Sequence, residues 1–98
     1  MEITEVKVYP AKETPGRLKA YATIVFDNSF IVRDLKVIEG NKGYFVSMPS
    51  RRRKDGSFRD IVHPLNSDMR KSIEDIIIAE FKKVLDTGVS YHEPDQID

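Results

Sequence analysis

Every second residue between Leu18 and Phe26 is apolar: Leu18, Ala20, Ala22, Ile24 and Phe26 alternate with Lys19, Tyr21, Thr23 and Val25. A strand sends successive side chains to opposite faces, so a run of this period predicts a strand with one face turned to a core. It commits the chain to a layered fold in which something must cover that face. The segments on either side extend the pattern. Upstream, Thr4, Val6 and Val8 alternate with Glu5, Lys7 and Tyr9 until Pro10 ends the run, and Thr14-Pro15-Gly16 marks the following turn. Downstream, Asp27-Asn28-Ser29 supplies a hairpin turn into Phe30 to Glu39. Apolar residues occur there at both parities (Phe30, Val32 and Ile38; Ile31, Leu35 and Val37), so this strand is either buried on both faces or broken by a bulge near Arg33-Asp34.

Gly40-Asn41-Lys42-Gly43 turns the chain into Tyr44 to Met48, and Phe58 to His63 reads as the answering strand. The connection Pro49 to Ser57 is tipped by Asp55-Gly56, a strong turn pair, so Arg51, Arg52, Arg53 and Lys54 are expected at the end of a hairpin. Pro64 stops that strand, and Asn66 or Ser67 can cap a helix. Met69, Ile73, Ile76, Ile77, Phe81 and Val84 then recur at helical spacing until Gly88 offers a stop. The expected class is α+β, an antiparallel sheet of about five strands followed by one C-terminal helix packed on it. With Ile78 and Leu85 the helix's apolar arc widens to roughly 200°, more than one sheet needs. A second apolar surface, most simply another subunit, is implied, and a dimer is expected.

The 98 residues are enough for one domain, and a lone domain of this size buries only about two-thirds of the surface its unfolded chain exposes. Bases and acids balance at 16 each, which taken alone argues against a nucleic-acid binder. The balance is uneven along the chain. Asp86, Glu93, Asp95 and Asp98 lie beyond the last base, so residues 1 to 85 hold 16 bases against 12 acids, a body of about +4. We expect a single domain over 1–86 and an acidic, flexible tail over 87–98. The absence of cysteine excludes disulfides and thiolate metal sites. No apolar run approaches a membrane span of roughly 18 residues, and Met1-Glu2-Ile3-Thr4 lacks the features of a signal peptide, so a soluble, cytoplasmic protein is expected.

Arg51 to Lys54 place four positive charges within an extended span of ~13 Å, comparable with two phosphate spacings. A solvated loop tolerates such a cluster, but arginine predominates, and its guanidinium fork matches phosphate oxygens and base edges as an ammonium cannot. Arg59 lies across the turn, where it either extends the patch or pairs with an acid. Arg70 and Lys71 fall in the first helical turn, whose unpaired N–H groups already favour an anion, although Asp68 favours the same helix end. An exposed ring from Tyr44 or Phe45 beside a basic tip would offer a stacking platform; the alternative is one core ring and one exposed ring.

Catalysis finds little support. His63 sits between a strand and Pro64, where orienting a turn is the commoner role, and His92 lies in the acidic tail. There is no glycine-rich phosphate loop, no His-Glu-x-x-His and no Gly-x-Ser-x-Gly. Neither Asp60 with His63 as a base pair nor His92, Glu93 and Asp95 as a metal site has a convincing set of partners. No cofactor, metal or small-molecule substrate is expected.

Met48-Pro49-Ser50-Arg51-Arg52, continuing through Asp55-Gly56, Phe58-Arg59-Asp60-Ile61 and His63-Pro64-Leu65-Asn66, resembles the stage V sporulation protein G (SpoVG) family of bacterial septation regulators. Glu2 to Val6, the strand Ala20 to Asp27, and Val37-Ile38-Glu39-Gly40-Asn41 match in type and order, so the resemblance covers roughly residues 1 to 85. It implies a small, cytoplasmic, dimeric protein with a β-sheet and a C-terminal helix. It also implies roles in sporulation and asymmetric septum formation, with site-selective binding of DNA and also RNA. Carried over by position, Arg51, Arg52, Arg59, Arg70 and Lys71 are the expected contacts, and Arg53 and Lys54 join them by charge. Leu65 replaces the isoleucine more usual before Asn66, and Arg53-Lys54 stand where members often carry Thr-Pro, giving a more charged and less rigid loop. The other reading of the same loop is a protein-interaction module of the septation machinery that docks an acidic partner.

Overall fold

A computed structural model describes residues 1–11 and 16–87. Four antiparallel strands follow one another in a meander: β1 (Ile3–Pro10), β2 (Leu18–Phe26), β3 (Phe30–Gly40) and β4 (Gly43–Ser47), in spatial order β1-β2-β3-β4. A separate two-stranded sheet pairs β5 (Ser50–Arg52) with β6 (Phe58–Asp60), and helix α1 (Ser67–Thr87) closes the fold. The class is α+β. Thr14 and Pro15 of the first turn, the Gly88 stop and residues 88–98 of the expected tail lie outside the described residues, while Thr87 still belongs to α1.

The alternation in β2 does what its period dictates. Ala20, Ala22, Ile24 and Phe26 are buried, while Lys19 and Tyr21 face away. α1 lies over that face and buries Ile73, Ile77, Phe81 and Val84 against a core that includes Val8, Leu35, Val37 and Val46. Four such side chains contribute on the order of 6–12 kcal/mol gross, before the entropy of ordering the chain is subtracted. Tyr44 meets Phe81 edge-on with ring centroids 5.0 Å apart, and Phe45 is the exposed one of the adjacent pair.

The mixed parity of β3 resolves as a bulge. Ala22 pairs with Leu35 and Ile24 with Val32, so Arg33 and Asp34 together oppose Thr23. Asp34 takes φ +65°, the left-handed conformation of a bulged residue, and Val32 and Leu35 both reach the core although three positions apart. Asp27 and Asn28 are also left-handed, as a tight hairpin turn requires, and Ser29 donates its N–H to the Phe26 carbonyl at 2.8 Å.

The fifth strand departs from expectation. Phe58 to His63 does not pair with Tyr44 to Met48; only Phe58–Asp60 is extended, and its partner is Ser50–Arg52. Two features end the main sheet at β4. Pro49 has no N–H to donate, and the Val46 N–H donates to Glu74 Oε2 of α1 at 3.2 Å, so a side chain occupies the edge where another strand would dock. Of the two capping candidates it is Asn66 that acts: its Oδ1 accepts the Met69 N–H at 2.8 Å, and its carbonyl accepts the Arg70 N–H. Among the described residues no helix is long and apolar enough to cross a membrane.

Candidate nucleic-acid interface

β5 and β6 are symmetric about Asp55: Ser50 faces Asp60, Arg51 faces Arg59, and Arg52 faces Phe58. The tip is fixed by its own backbone. Arg53 donates to the Ser57 carbonyl at 2.7 Å, Gly56 donates to the Arg53 carbonyl at 3.0 Å, and Gly56 adopts φ +90°, a conformation a side chain would strain. Asp55 accepts from both the Ser57 hydroxyl (2.6 Å) and the Ser57 N–H (2.9 Å). These bonds favour the ionised carboxylate and lower its pKa, the hydroxyl contributing most. At the base the Ile61 N–H donates to the Pro49 carbonyl at 2.8 Å. All six strand residues are exposed, so the hairpin is an arm standing clear of the core.

Along this arm runs a concavity of about 610 Å³, lined by Arg51, Arg52, Arg53, Lys54, Arg59, Asp60, Ile61 and His63. The ion pairs among the described residues join Lys7 to Glu5, Lys19 to Glu39 and Lys71 to Asp75; none involves the five cations of the arm. Asp55, the acid nearest the tip, is engaged by Ser57. Arg51 and Arg59 stand directly opposite each other, a like-charge pairing that costs roughly 0.2–1 kcal/mol in an antiparallel ladder. Five cations against the single carboxylate Asp60 around one concavity, with no ion pair to them among the described residues, make a site that gains from an anion.

The structure therefore brings Arg51, Arg52, Arg53, Lys54 and Arg59 together. Arg70 and Lys71 do not line the concavity; both are exposed in the first turn of α1, and Lys71 is held by Asp75 at 3.0 Å. His63 places Nδ1 3.1 Å from the Pro64 carbonyl oxygen and its ring along the wall of the concavity. Phe45 is not part of that wall. The exposed ring on the arm is Phe58, 70% accessible and opposite Arg52, which sequence reasoning passed over. The signal was present: counting outward from Asp55 pairs positions 52 with 58 and 51 with 59.

A SpoVG family model matches residues 1–83. The chain belongs to the SpoVG family. SpoVG relatives cover nearly the whole domain. A protein of Anaeromyxobacter dehalogenans is 56% identical over 90 residues, spanning 92% of this chain and 87% of the relative. One of Bdellovibrio bacteriovorus is 59% identical over 85 residues, 87% of this chain and 77% of the relative. One of Oceanobacillus iheyensis is 46% identical over 93 residues, 95% of this chain and 96% of the relative. Each carries the name "Putative septation protein SpoVG", which is not the name of an enzyme. The arm and its concavity fall inside the matched region of this chain.

Proposed function

We propose that this chain is a non-enzymatic, cytoplasmic, homodimeric regulator that binds DNA and RNA in the control of septation and sporulation. The septation role is supported by the names of its relatives. Nucleic-acid binding is supported above all by five arm cations that line one concavity and form no ion pair among the described residues. A polyanion removes the repulsion among them and gives up condensed counterions as it binds, which makes affinity steeply salt-dependent.

With four or five contacts from each of two arms, log affinity for duplex DNA falls against log salt with a slope of about −7 to −9. A titration at several salt concentrations tests this, and a flat dependence removes the reading. Replacing Arg51 to Lys54 by serine is expected to abolish retention while the fold survives, since these side chains are exposed. If that variant keeps DNA and instead loses an acidic protein partner, the arm is a protein-docking loop.

A further inference from the structure

Alternation along the β5–β6 ladder sends the arm's side chains to two unlike faces. Arg51 and Arg59 oppose each other on one; Ser50, Arg52, Phe58 and Asp60 share the other, with Ser50 across from Asp60 and Arg52 across from Phe58. The first face is cationic. The second holds a hydroxyl, a guanidinium fork, an aromatic ring and a carboxylate, all on exposed residues. Two of these are out of place on a surface that only grips phosphate. Phe58 leaves 70% of its area in water, and Asp60 repels a polyanion. The Asp60 carboxylate is also available: Arg52 is its diagonal neighbour, roughly 7–8 Å away between Cα atoms, yet no ion pair among the described residues joins them. The concavity borders both faces, with Arg51 and Arg59 from one and Arg52 and Asp60 from the other.

We propose that the face carrying Ser50, Arg52, Phe58 and Asp60 reads base edges in the major groove of duplex DNA, while Arg51 and Arg59 on the reverse face hold the phosphates that flank the groove. The inference rests on the nucleic-acid reading above and adds which residues give it sequence preference. A two-stranded ribbon, its strands ~4.8 Å apart, fits a groove ~12 Å wide, whereas the deep, narrow major groove of an RNA duplex shuts it out. The DNA groove displays acceptors, amino donors and thymine methyls, and the mixed face has a partner for each. Arg52 matches guanine O6 and N7, Asp60 accepts from cytosine N4 or adenine N6, Phe58 packs on a thymine methyl, and Ser50 donates or accepts.

Placing a carboxylate in a polyanion site weakens binding to every sequence except one that presents an amino group to it. Phosphate contacts carry no such discrimination, because the backbone is alike at every base pair. Asp60 and Phe58 therefore set the preference, and the cations set the affinity.

Selection from a randomised duplex DNA library, followed by affinity measurements on the selected duplex and on the unselected library, tests this division. The ratio of the two affinities is the readout. Asp60→Ala should bind the library more tightly than wild type and lose about fivefold or more of the ratio, the equivalent of one base contact. Asp60→Asn should move the preference at its position to adenine, whose N6 and N7 an amide meets together, a change that a merely structural role would not produce. Arg51→Ser with Arg59→Ser should weaken both affinities alike and leave the ratio in place. A ratio unaltered in both Asp60→Ala and Phe58→Ala, a wild type that binds the library but selects nothing from it, or tighter binding to single-stranded RNA than to the selected duplex overturns the proposal. Should the variants misfold, the wild-type protein decides: uracil in place of every thymine in the selected duplex deletes the methyls, so weaker binding supports the proposal and equal binding overturns it. A library affinity that does not respond to salt removes the nucleic-acid reading itself, which is a separate result.

Discussion

Arg51 and Arg59 face each other across the arm, so replacing both by serine should move binding and local stability in opposite directions. In the proposed dimer this would remove two phosphate contacts per arm, four in all, each worth about 0.9 in the slope of log affinity against log salt on duplex DNA. With all ten arm cations engaged the slope is about −9, and with six it is about −5.4. Raising salt fourfold should then weaken the wild type by roughly 10⁵-fold and the variant by only about 10³-fold. The arm itself should become more stable by roughly 0.2–1 kcal/mol as the opposed charges disappear. That gain appears as up to about fivefold slower exchange of the Arg53 and Ile61 amides, whose acceptors are the Ser57 and Pro49 carbonyls. Fluorescence anisotropy with a labelled duplex at four salt concentrations gives the slope, and amide exchange gives the stability. The Lys pair Arg51→Lys with Arg59→Lys keeps the charge and should keep the slope. An unchanged slope in the serine variant would refute the reasoning, because those guanidinium groups would then lie away from phosphate.

Two further expectations bear on the supports of the site. Asn66→Ala removes the acceptor of the Met69 N–H and should cost about 1 kcal/mol, seen as a fall in thermal midpoint of roughly 4–8 °C. The Asp55 carboxyl is held below its ordinary value by Ser57, so its stabilisation of the arm is complete above the unfolded pKa of about 3.9 and is lost as pH falls through the lowered folded value. Acid titration followed by amide exchange at Ser57 should show the arm loosening below that range, and Asp55→Asn, which still offers an acceptor oxygen, should remove the pH dependence.

The main sheet was legible because its residues obey one period against one neighbour. β2 begins and ends where the alternation does, and the clash of parities in β3 was a readable sign of the bulge at Arg33-Asp34. The cap was legible to within one residue. What was not legible was the partner of Phe58–Asp60. Ser50-Arg51-Arg52 is exposed on both faces, so it has no apolar alternation to announce a strand. The turn pair Asp55-Gly56 located the hairpin's centre without saying how far its strands extend. The block on β4 comes from Glu74, 28 residues away from Val46, and a long-range bond of that kind leaves no local trace. Among the candidate cations, spacing placed Arg51 to Lys54 at one hairpin tip and left Arg59 either beside them or paired with an acid, while the helix-start bases were grouped with them by anion chemistry and by the family resemblance.

The division of the strands into four and two is also what makes so concentrated a charge tolerable. Had β6 joined β4 as a fifth strand, alternate residues would have turned under α1. An arginine there would lose its hydration at a cost of several kcal/mol without an acid to offset it. On an arm wet on both faces, each guanidinium keeps its water and neighbouring charges are screened beyond about 8–10 Å, so the penalty shrinks to the fraction of a kcal/mol owed to facing pairs. The same separation leaves Ile61 and Leu65 largely exposed between arm and helix, and Val62 only partly covered beside the core. Charge that must stay wet and apolar side chains that should not are thus placed next to each other in the chain by ending the main sheet before Pro49.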